Sequence, residues 1–407
     1  MKKISNIEKR KRHYRNRVME IIRQNEWVSR TDIKRLSRLS MTTTLETIEG
    51  MIDDGLLIES GTGVSTGGRK PTWLKINPLG GYFLGLEFTS EQVLYVIMDL
   101  CGTICFSGEK DIPIKHRTTD GVISIMVACI SEMLEKVSSR SKVFGIGLGS
   151  PGDVDFEKGT VTGYRFIKDW EWATVPIRQV LSQHFNLPIY IENYVNAMTL
   201  AYKWLEYKGA CDNLIFLIIR EGLRMGCIVR EQLLQGHNNN AGGINHIKVP
   251  TSNRMCFCGQ KGCLMTEVTH GALLMKVKEG MMRGRFPAII DMCKDREPVM
   301  QDIIKAVSLG DKDSANLVTE AAGYIGQFLS YVVPINNPRR IIIYTALSQC
   351  GPEFLQHVED TVRNNCAIRQ TKDLSFSYMQ YGIHIGAIGA ASIVMQMEVG
   401  VNPERLI

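Results

Sequence analysis

The stretch YFLGLEFTSEQVLYVIMDLCGTICFSGE, residues 82–109, predicts the fold of most of this chain. Its three largely apolar runs, 82–88, 93–99 and 103–109, are separated by short turns that carry polar residues or glycine. Such runs are typical of consecutive β-strands joined by tight turns. The same order of strands and turns returns at 213–236, and helical patterns follow both stretches. The sequence therefore predicts an α/β body of two lobes, with a cleft between them as the usual place for a ligand.

The composition of the chain limits the class of protein to which it can belong. Its 407 residues are 44% hydrophobic and 22% charged, close to the globular average, so a disordered or fibrous protein is excluded. The longest uninterrupted apolar run, residues 214–219, is far shorter than the roughly 20 residues that cross a bilayer. The basic residues 1–17 lead into no apolar signal sequence. We therefore expect a cytoplasmic protein without a membrane partner.

The charge is distributed unevenly along the chain. Residues 1–77 contain 16 Lys and Arg against 9 Asp and Glu, whereas residues 78–407 contain 32 against 33. A basic segment attached to a neutral body suggests a polyanionic partner for that segment alone, most simply nucleic acid. A solvated basic tail is the alternative, and composition alone does not separate the two.

Three short helices are predicted in this basic segment. The first helix covers about residues 14–24. The second begins after Ser29, which forms a capping pattern with Asp32. The third covers about 42–54 and ends at Gly55. Strand-like runs then flank the glycine-rich stretch 61–70, as in a wing hairpin. The sequence thus predicts a mainly α winged helix-turn-helix domain, with a protein-binding helical bundle as the alternative.

The predicted DNA contacts lie at the start of the second helix, in the turn after it, in the third helix and in the wing. The start of the third helix is rich in threonine and nearly free of apolar residues, so it can face base edges and phosphates. The two basic wing residues could enter a minor groove. The candidate contacts are Arg30, Ser40, Met41, Thr42, Thr43, Thr44, Thr47, Arg69 and Lys70.

A second motif has the composition of a metal site. His246 precedes Cys256, Cys258 and Cys263, and glycines 259 and 262 lie among the cysteines. One imidazole and three thiolates suit Zn²⁺ and complete a closed tetrahedral shell with no open position for catalytic water. The sequence therefore predicts a structural zinc; three unrelated free cysteines are the alternative.

Five motifs together resemble the ROK family in their order along the chain. They are GGRKP, GIGLGSPGDVD, IENYVNA, AGGINHIKVP and CFCGQKGCL. The resemblance covers nearly the whole chain and implies an actin-like, ribonuclease-H-like ATPase fold for the body. This family contains sugar kinases and sugar-responsive repressors, and the N-terminal helices indicate the repressor branch, similar to xylose and N-acetylglucosamine repressors. The family implies the same four zinc ligands.

The residues that the family's kinases use are replaced here. Their Asp-x-Gly-x-Thr phosphate loop corresponds to residues 87–91, EFTSE, and their second, glycine-rich phosphate loop corresponds to residues 219–224, IREGLR. The catalytic Asp of their Asn-Asp pair corresponds to Tyr194, and a tyrosine with a pKa near 10 cannot replace an ionised carboxylate as general base. We therefore expect no enzymatic activity and no catalytic residues.

The sugar-binding residues of the family are also depleted. Gly243 and Met265 stand where the family has glutamates, whereas Asn193 and His246 match. Glu267 lies two residues past the expected position and could substitute if the local helix shifts. The candidate ligand contacts are therefore Asn193 and Glu267, for a sugar or sugar-phosphate effector or, alternatively, a partner protein.

These observations predict three domains: the winged helix-turn-helix at 1–77, a first α/β lobe at 78–200 and a second lobe with the zinc motif at 201–407. The predicted function is a transcriptional regulator, most simply a repressor of carbohydrate-related genes. It would bind double-stranded operator DNA as a homodimer or higher homo-oligomer, because one reading helix offers few base contacts. The alternative is a sugar kinase, or a kinase-like carbohydrate-binding protein, with an accessory N-terminal domain.

Overall fold

The computed structural model forms two compact units, residues 1–210 with 382–407 and residues 211–381. The residues that the structure describes are 6–25, 27–62, 72–138, 141–164, 167–170, 173–207, 213–230, 232–237 and 239–399.

The first unit begins with three helices and a small antiparallel sheet. Ser29 and Asp32 form the predicted capping box, and Ser40 caps the third helix. Val18, Ile33 and Ile48 are buried between the helices, as their spacing predicts. The elements are α1 (Asn6–Gln24), β1 (Val28–Ser29), α2 (Arg30–Ser37), α3 (Met41–Asp53), β2 (Leu57–Thr62) and β3 (Thr72–Ile76), with sheet order β1-β3-β2.

A five-stranded sheet follows in the same unit, in the order β11-β7-β4-β5-β6. The predicted meander is its antiparallel part, and β7 and β11 add parallel strands to it. The elements are β4 (Tyr82–Phe88), β5 (Gln92–Asp99), β6 (Ile104–Asp111), α4 (Thr119–Lys136), β7 (Val143–Ser150), β8 (Asp153–Asp155), β9 (Thr160–Thr162), β10 (Thr174–Val175), α5 (Ile177–Ser182), β11 (Ile189–Asn193) and α6 (Tyr194–Tyr207).

The second unit repeats this plan with a sheet in the order β14-β13-β12-β15-β16. Strand β12 is buried along almost its whole length between β13 and β15, which explains its uninterrupted apolar run. The elements are β12 (Asn213–Ile219), β13 (Leu223–Val229), β14 (Gln232–Leu233), α7 (Met265–Val268), α8 (His270–Met281), α9 (Pro287–Met292), α10 (Met300–Ser308), α11 (Lys312–Asn336), β15 (Arg340–Thr345), α12 (Glu353–Asn365), α13 (Ile368–Thr371) and β16 (Ser375–Tyr378).

The helical pattern that follows the second meander begins as two helices, α7 and α8. Thr269 separates α7 from α8 with an extended backbone, and its side chain accepts a hydrogen bond from the Ala272 N–H at the start of α8. A threonine hydroxyl is a good helix cap, so it ends one helix and begins the next. The apolar pattern runs through this break and conceals it.

The last helix, α14 (Ile385–Glu398), returns to the first unit, so the predicted boundary at residues 200 and 201 does not describe the two units. It packs against β4, β7 and α6. A Cβ at Gly85 or Gly147 would overlap a backbone carbonyl of α14, and a Cβ at Gly389 would overlap that of Ala197. The small residues therefore allow a backbone approach that larger side chains would prevent.

No helix among the described residues is both long enough and apolar enough to cross a bilayer.

Candidate metal centre and nucleic-acid interface

The structure brings the four predicted metal ligands together. The side-chain donor atoms of His246, Cys256, Cys258 and Cys263 all lie within 4.8 Å of one another. The His246 Nδ1 to Cys256 Sγ distance is 3.6 Å, and the Cys258 and Cys263 sulfurs are 3.7 Å apart. Sulfur ligands about 2.3 Å from a tetrahedral metal lie about 3.8 Å apart, so these spacings fit a metal between the four atoms.

Two glycines allow the chain to fold around this centre. Gly259 and Gly262 both adopt positive φ, +82° and +71°, which other residues rarely do. The Gly259 N–H donates to the Cys256 carbonyl at 3.0 Å, and the Cys256 N–H donates to the Gln260 carbonyl at 2.8 Å. These bonds close a tight knuckle that places the cysteine sulfurs on one side, as the sequence spacing predicts.

The thiols lie in different surroundings. A hydrogen bond from the backbone of Gln260 lowers the pKa of Cys258, whereas burial raises the pKa of Cys263 to about 11. The Lys248 ammonium lies 3.7 Å from the Cys263 sulfur, and its charge contributes to the lowered pKa of Cys258. The cluster can hold a soft divalent metal because thiolates are the strongest donors for such ions.

The predicted DNA contacts are divided between surface and interior. Ser40, Met41 and Thr42 are exposed, Met41 to 45%, and Thr43 is half-buried. The Ser40 hydroxyl accepts the Thr43 N–H at 3.1 Å, so Ser40 fixes the beginning of α3 as well as lying at its surface. The first turn of α3 therefore presents a small polar surface.

Two of the predicted contacts have structural roles instead. Thr44 is 0% exposed, and its hydroxyl donates to the Ser40 carbonyl at 2.8 Å, so it lies inside the helical bundle. Arg30 pairs with Glu49 and Glu59, each at 2.8 Å, which ties α2 to α3 and β2. The sequence places both residues near the predicted reading helix, but it does not show which way their side chains point.

The remaining predicted contacts are placed as follows. Thr47 is half-buried, and its hydroxyl donates to the Thr43 carbonyl at 2.7 Å. Arg69 and Lys70 lie outside the described residues.

Two cations beside the turn between α2 and α3 were not predicted: Lys34 and Arg38 are exposed, and neither forms an ion pair within the described part of the chain. Their place beside the predicted turn is the signal that could have found them.

The two predicted ligand contacts are both engaged within the protein. Asn193 is buried at the end of β11, where its side chain donates to the Gly152 carbonyl at 3.1 Å and accepts the Val195 N–H at 3.0 Å. Glu267 lies on α7, where its side chain is 3% exposed and 2.6 Å from Lys276. Each belongs to a different unit of the fold.

The segments that correspond to kinase phosphate loops form short turns. Thr89 Oγ1 accepts the backbone N–H groups of Glu91 and Gln92, both at 3.1 Å, and so closes the turn between β4 and β5. Between β12 and β13 the Arg220 N–H donates to the Gly222 carbonyl at 2.9 Å. Tyr194 begins α6 directly after Asn193.

Comparisons with known proteins give the chain its family. It is 28% identical over 379 residues to the xylose repressor of Caldicellulosiruptor bescii, covering 93% of this chain and 94% of that protein. A crystal structure of a ROK family transcriptional regulator, a homologue of the Escherichia coli MLC protein, matches with a TM-score of 0.84 and 23% identity, covering 96% and 97% of the two chains. A ROK family glucokinase from Streptomyces griseus, in complex with glucose and AMPPNP, matches with a TM-score of 0.65 and 21% identity, covering 78% of this chain and 100% of that one. The ROK family model matches residues 84–397, and the protein therefore belongs to the ROK family.

Proposed function

We propose that this protein is a DNA-binding transcriptional regulator, a repressor of sugar-related genes, that reads its operator with a winged helix-turn-helix formed by α1–α3 and β1–β3. The observation that carries the proposal is the arrangement of this basic domain. Its second and third helices are joined by a three-residue turn, and the polar start of the third helix is exposed. The likeness to the xylose repressor extends over both the N-terminal domain and the body, which supports the same role here.

The proposed reading surface is the first turn of α3 with the turn before it. Ser40, Met41, Thr42 and Thr43 can meet base edges, whereas Lys34 and Arg38 can meet phosphates. Thr47 stands one turn further along the same helix. Arg69 and Lys70 are proposed as wing contacts from the sequence alone. Thr44 and Arg30 are left out because their side chains are used inside the domain.

The body is proposed to bind an effector and to form a dimer rather than to transfer phosphate. Tyr194 offers no carboxylate as general base, and the turn at 220–222 offers no open cradle of N–H groups. Retained ATP-dependent sugar phosphorylation by the unaltered protein would overturn this part. Two copies would place two reading helices on paired half-sites, and a sugar effector would alter their spacing.

The metal centre is proposed to hold a structural Zn²⁺. Four protein donors leave no open position, and the donor spacings fit a tetrahedral ion. Bound there, zinc would fix the knuckle to the segment that contains His246. One equivalent of zinc per purified chain is the expected result of metal analysis.

The test of DNA binding is capture of genomic fragments by the full chain, followed by affinity measurement on the retained site. Lys34→Ala with Arg38→Ala should weaken binding to all sequences and reduce the salt slope by about 2. Thr42→Ala should change the preferred sequence more than the salt slope. Lys294→Ala with Lys312→Ala, two exposed lysines of the second unit, is the charge-matched control. Equal loss in both double variants, or no enriched site, would contradict the proposal.

A further inference from the structure

Lys248 lies beside the metal centre, two residues after the ligand His246. Its ammonium donates to the Lys261 carbonyl at 2.7 Å and to the Cys263 sulfur at 3.7 Å. Lys248 is at the surface, where a lysine ammonium ordinarily lies in water. Here it has two protein partners instead, and one of them is a metal ligand.

The backbone fixes Lys248 opposite Cys263. The two residues form an antiparallel β-bridge, and the neighbouring Val249 N–H donates to the Gly262 carbonyl at 2.7 Å. Side chains that lie directly opposite each other in an antiparallel pair are close together. The pairing of these two short segments therefore holds the ammonium near the sulfur.

The charge of the ligand set explains what this ammonium can do. Three thiolates carry three negative charges, the imidazole is neutral and a divalent metal carries two positive charges, so one negative charge remains. Cys263 is 0% exposed, and a charge withdrawn from water is costly unless it is paired. Lys248 supplies one positive charge, which balances the remaining negative charge.

The other cations of the segment 246–263 differ from Lys248 in their contacts. Arg254 forms two hydrogen bonds with Glu279, at 3.1 and 2.7 Å. Lys261 is exposed, and within the described part of the chain its ammonium contacts none of the four ligands. Lys261 thus has the same charge as Lys248 and lies in the same segment, but it lacks the contact with sulfur.

We propose that Lys248 stabilises the bound metal by balancing the thiolate charge and by donating an N–H···S hydrogen bond to Cys263. The inference rests on the proposed function in that the centre holds zinc. Groups that contact metal ligands in this way typically contribute about 10- to 100-fold to metal affinity. Because Lys248 is exposed and its charge is screened by water and salt, we expect the lower end of that range, about tenfold.

The test is the zinc dissociation constant of the full chain, measured by competition with a zinc-binding dye. Lys248→Met should raise this constant about tenfold at about 0.1 M salt but only about threefold at about 1 M salt, because the Debye length falls from about 10 Å to about 3 Å. Lys248→Arg keeps the positive charge and should stay within about threefold of the unaltered chain.

Cobalt gives a second readout that reports on the sulfurs themselves. With Co²⁺ in place of Zn²⁺, the thiolate-to-metal charge-transfer absorption of Lys248→Met should move to longer wavelength. A thiolate that has lost its neighbouring cation releases an electron more readily, which lowers the energy of that transition. A change in packing alone would weaken the binding of the metal without this shift.

Lys261→Met is the matched control, since it removes the same charge from the same segment without removing a contact with sulfur. Its zinc affinity should stay within about twofold of the unaltered chain. Equal weakening in Lys248→Met and Lys261→Met would assign the effect to net charge and overturn the inference. A loss in Lys248→Met that neither high salt reduces nor arginine restores would overturn it as well.

The zinc content of the unaltered chain separates this inference from the proposed zinc site. Zinc bound equally well by the unaltered chain and by Lys248→Met rejects the role of Lys248 and leaves the zinc site in place. No zinc in the unaltered chain rejects both.

Discussion

Replacing Arg23 by methionine should stabilise the protein. Arg23 lies on α1 with a buried guanidinium, and its Nη2 donates to the Leu100 carbonyl at 3.2 Å and contacts the Met395 sulfur of α14 at 3.2 Å. Burial lowers the pKa of its guanidinium to about 10, although the charges of Cys101 and Asp99 oppose that shift. Burial of the charged Arg23 guanidinium therefore destabilises the folded protein.

The size of the effect follows from this pKa. A guanidinium pKa lowered to about 10 corresponds to a penalty of about 3 kcal/mol on the charged form relative to the neutral form of the same side chain. Methionine removes that penalty, but it also gives up the hydrogen bond to Leu100, about 1 kcal/mol. Because methionine fills a similar volume and is flexible, little packing is lost. The expected gain in the free energy of unfolding is about 2 kcal/mol.

The assay is urea unfolding at pH 7 followed by circular dichroism, with Arg17→Met as the matched control. Arg17 is on the same helix but is 45% exposed and pairs with Glu20, so its replacement should change the unfolding free energy by less than about 0.5 kcal/mol. A loss of more than about 1 kcal/mol in Arg23→Met would refute the reasoning. It would mean that the polar contacts of Arg23 outweigh the desolvation of its charge.

Three further predictions concern the cap, the metal and an ion pair. Ser29→Ala removes the capping box of α2 and should lower the unfolding free energy by about 1 kcal/mol in the same urea assay. Cys258→Ser should abolish stoichiometric zinc in elemental analysis, and a chelator should lower the Tm of the unaltered protein, whereas Cys105→Ser, at an exposed cysteine outside the cluster, should retain the metal. The hydrogen bonds from Arg296 hold the pKa of Asp302 well below its usual range, so this pair contributes stability above about pH 4 that is lost as the pH falls. Asp302→Asn should flatten that acid-side slope, and an unchanged slope would show that the pair contributes nothing to it.

The sequence was sufficient for features that depend on local pattern. The two meanders, the Ser29 capping box and the cysteine knuckle all follow from residues that are close together in the chain, and the structure forms each of them. Local hydrogen bonds and turn residues determine such features, so a pattern over a few residues is enough.

Features that depend on contacts between residues far apart in the chain could not be predicted from short sequence patterns. The break at Thr269 lies inside a continuous apolar pattern, and Thr44 shows its burial only once α3 is packed. The return of α14 to the first unit depends on space left by Gly85 and Gly147, some 240 to 300 residues earlier. A glycine in a strand indicates a close approach, but it does not identify what approaches.

Helix α14 connects the five-stranded sheet of the first unit to the N-terminal helices. It packs so closely on β4 and β7 that the carbonyls of Ala387 and Ala390 occupy the space a Cβ would need at Gly85 and Gly147. At its other end, Met395 contacts Arg23 of α1. Tightly packed elements move as units rather than deform, so a displacement of α14 together with the sheet would change its contact with α1. Within the first unit, α14 therefore links the sheet to the N-terminal helices, and Arg23→Met alters that link at a residue outside the proposed DNA surface.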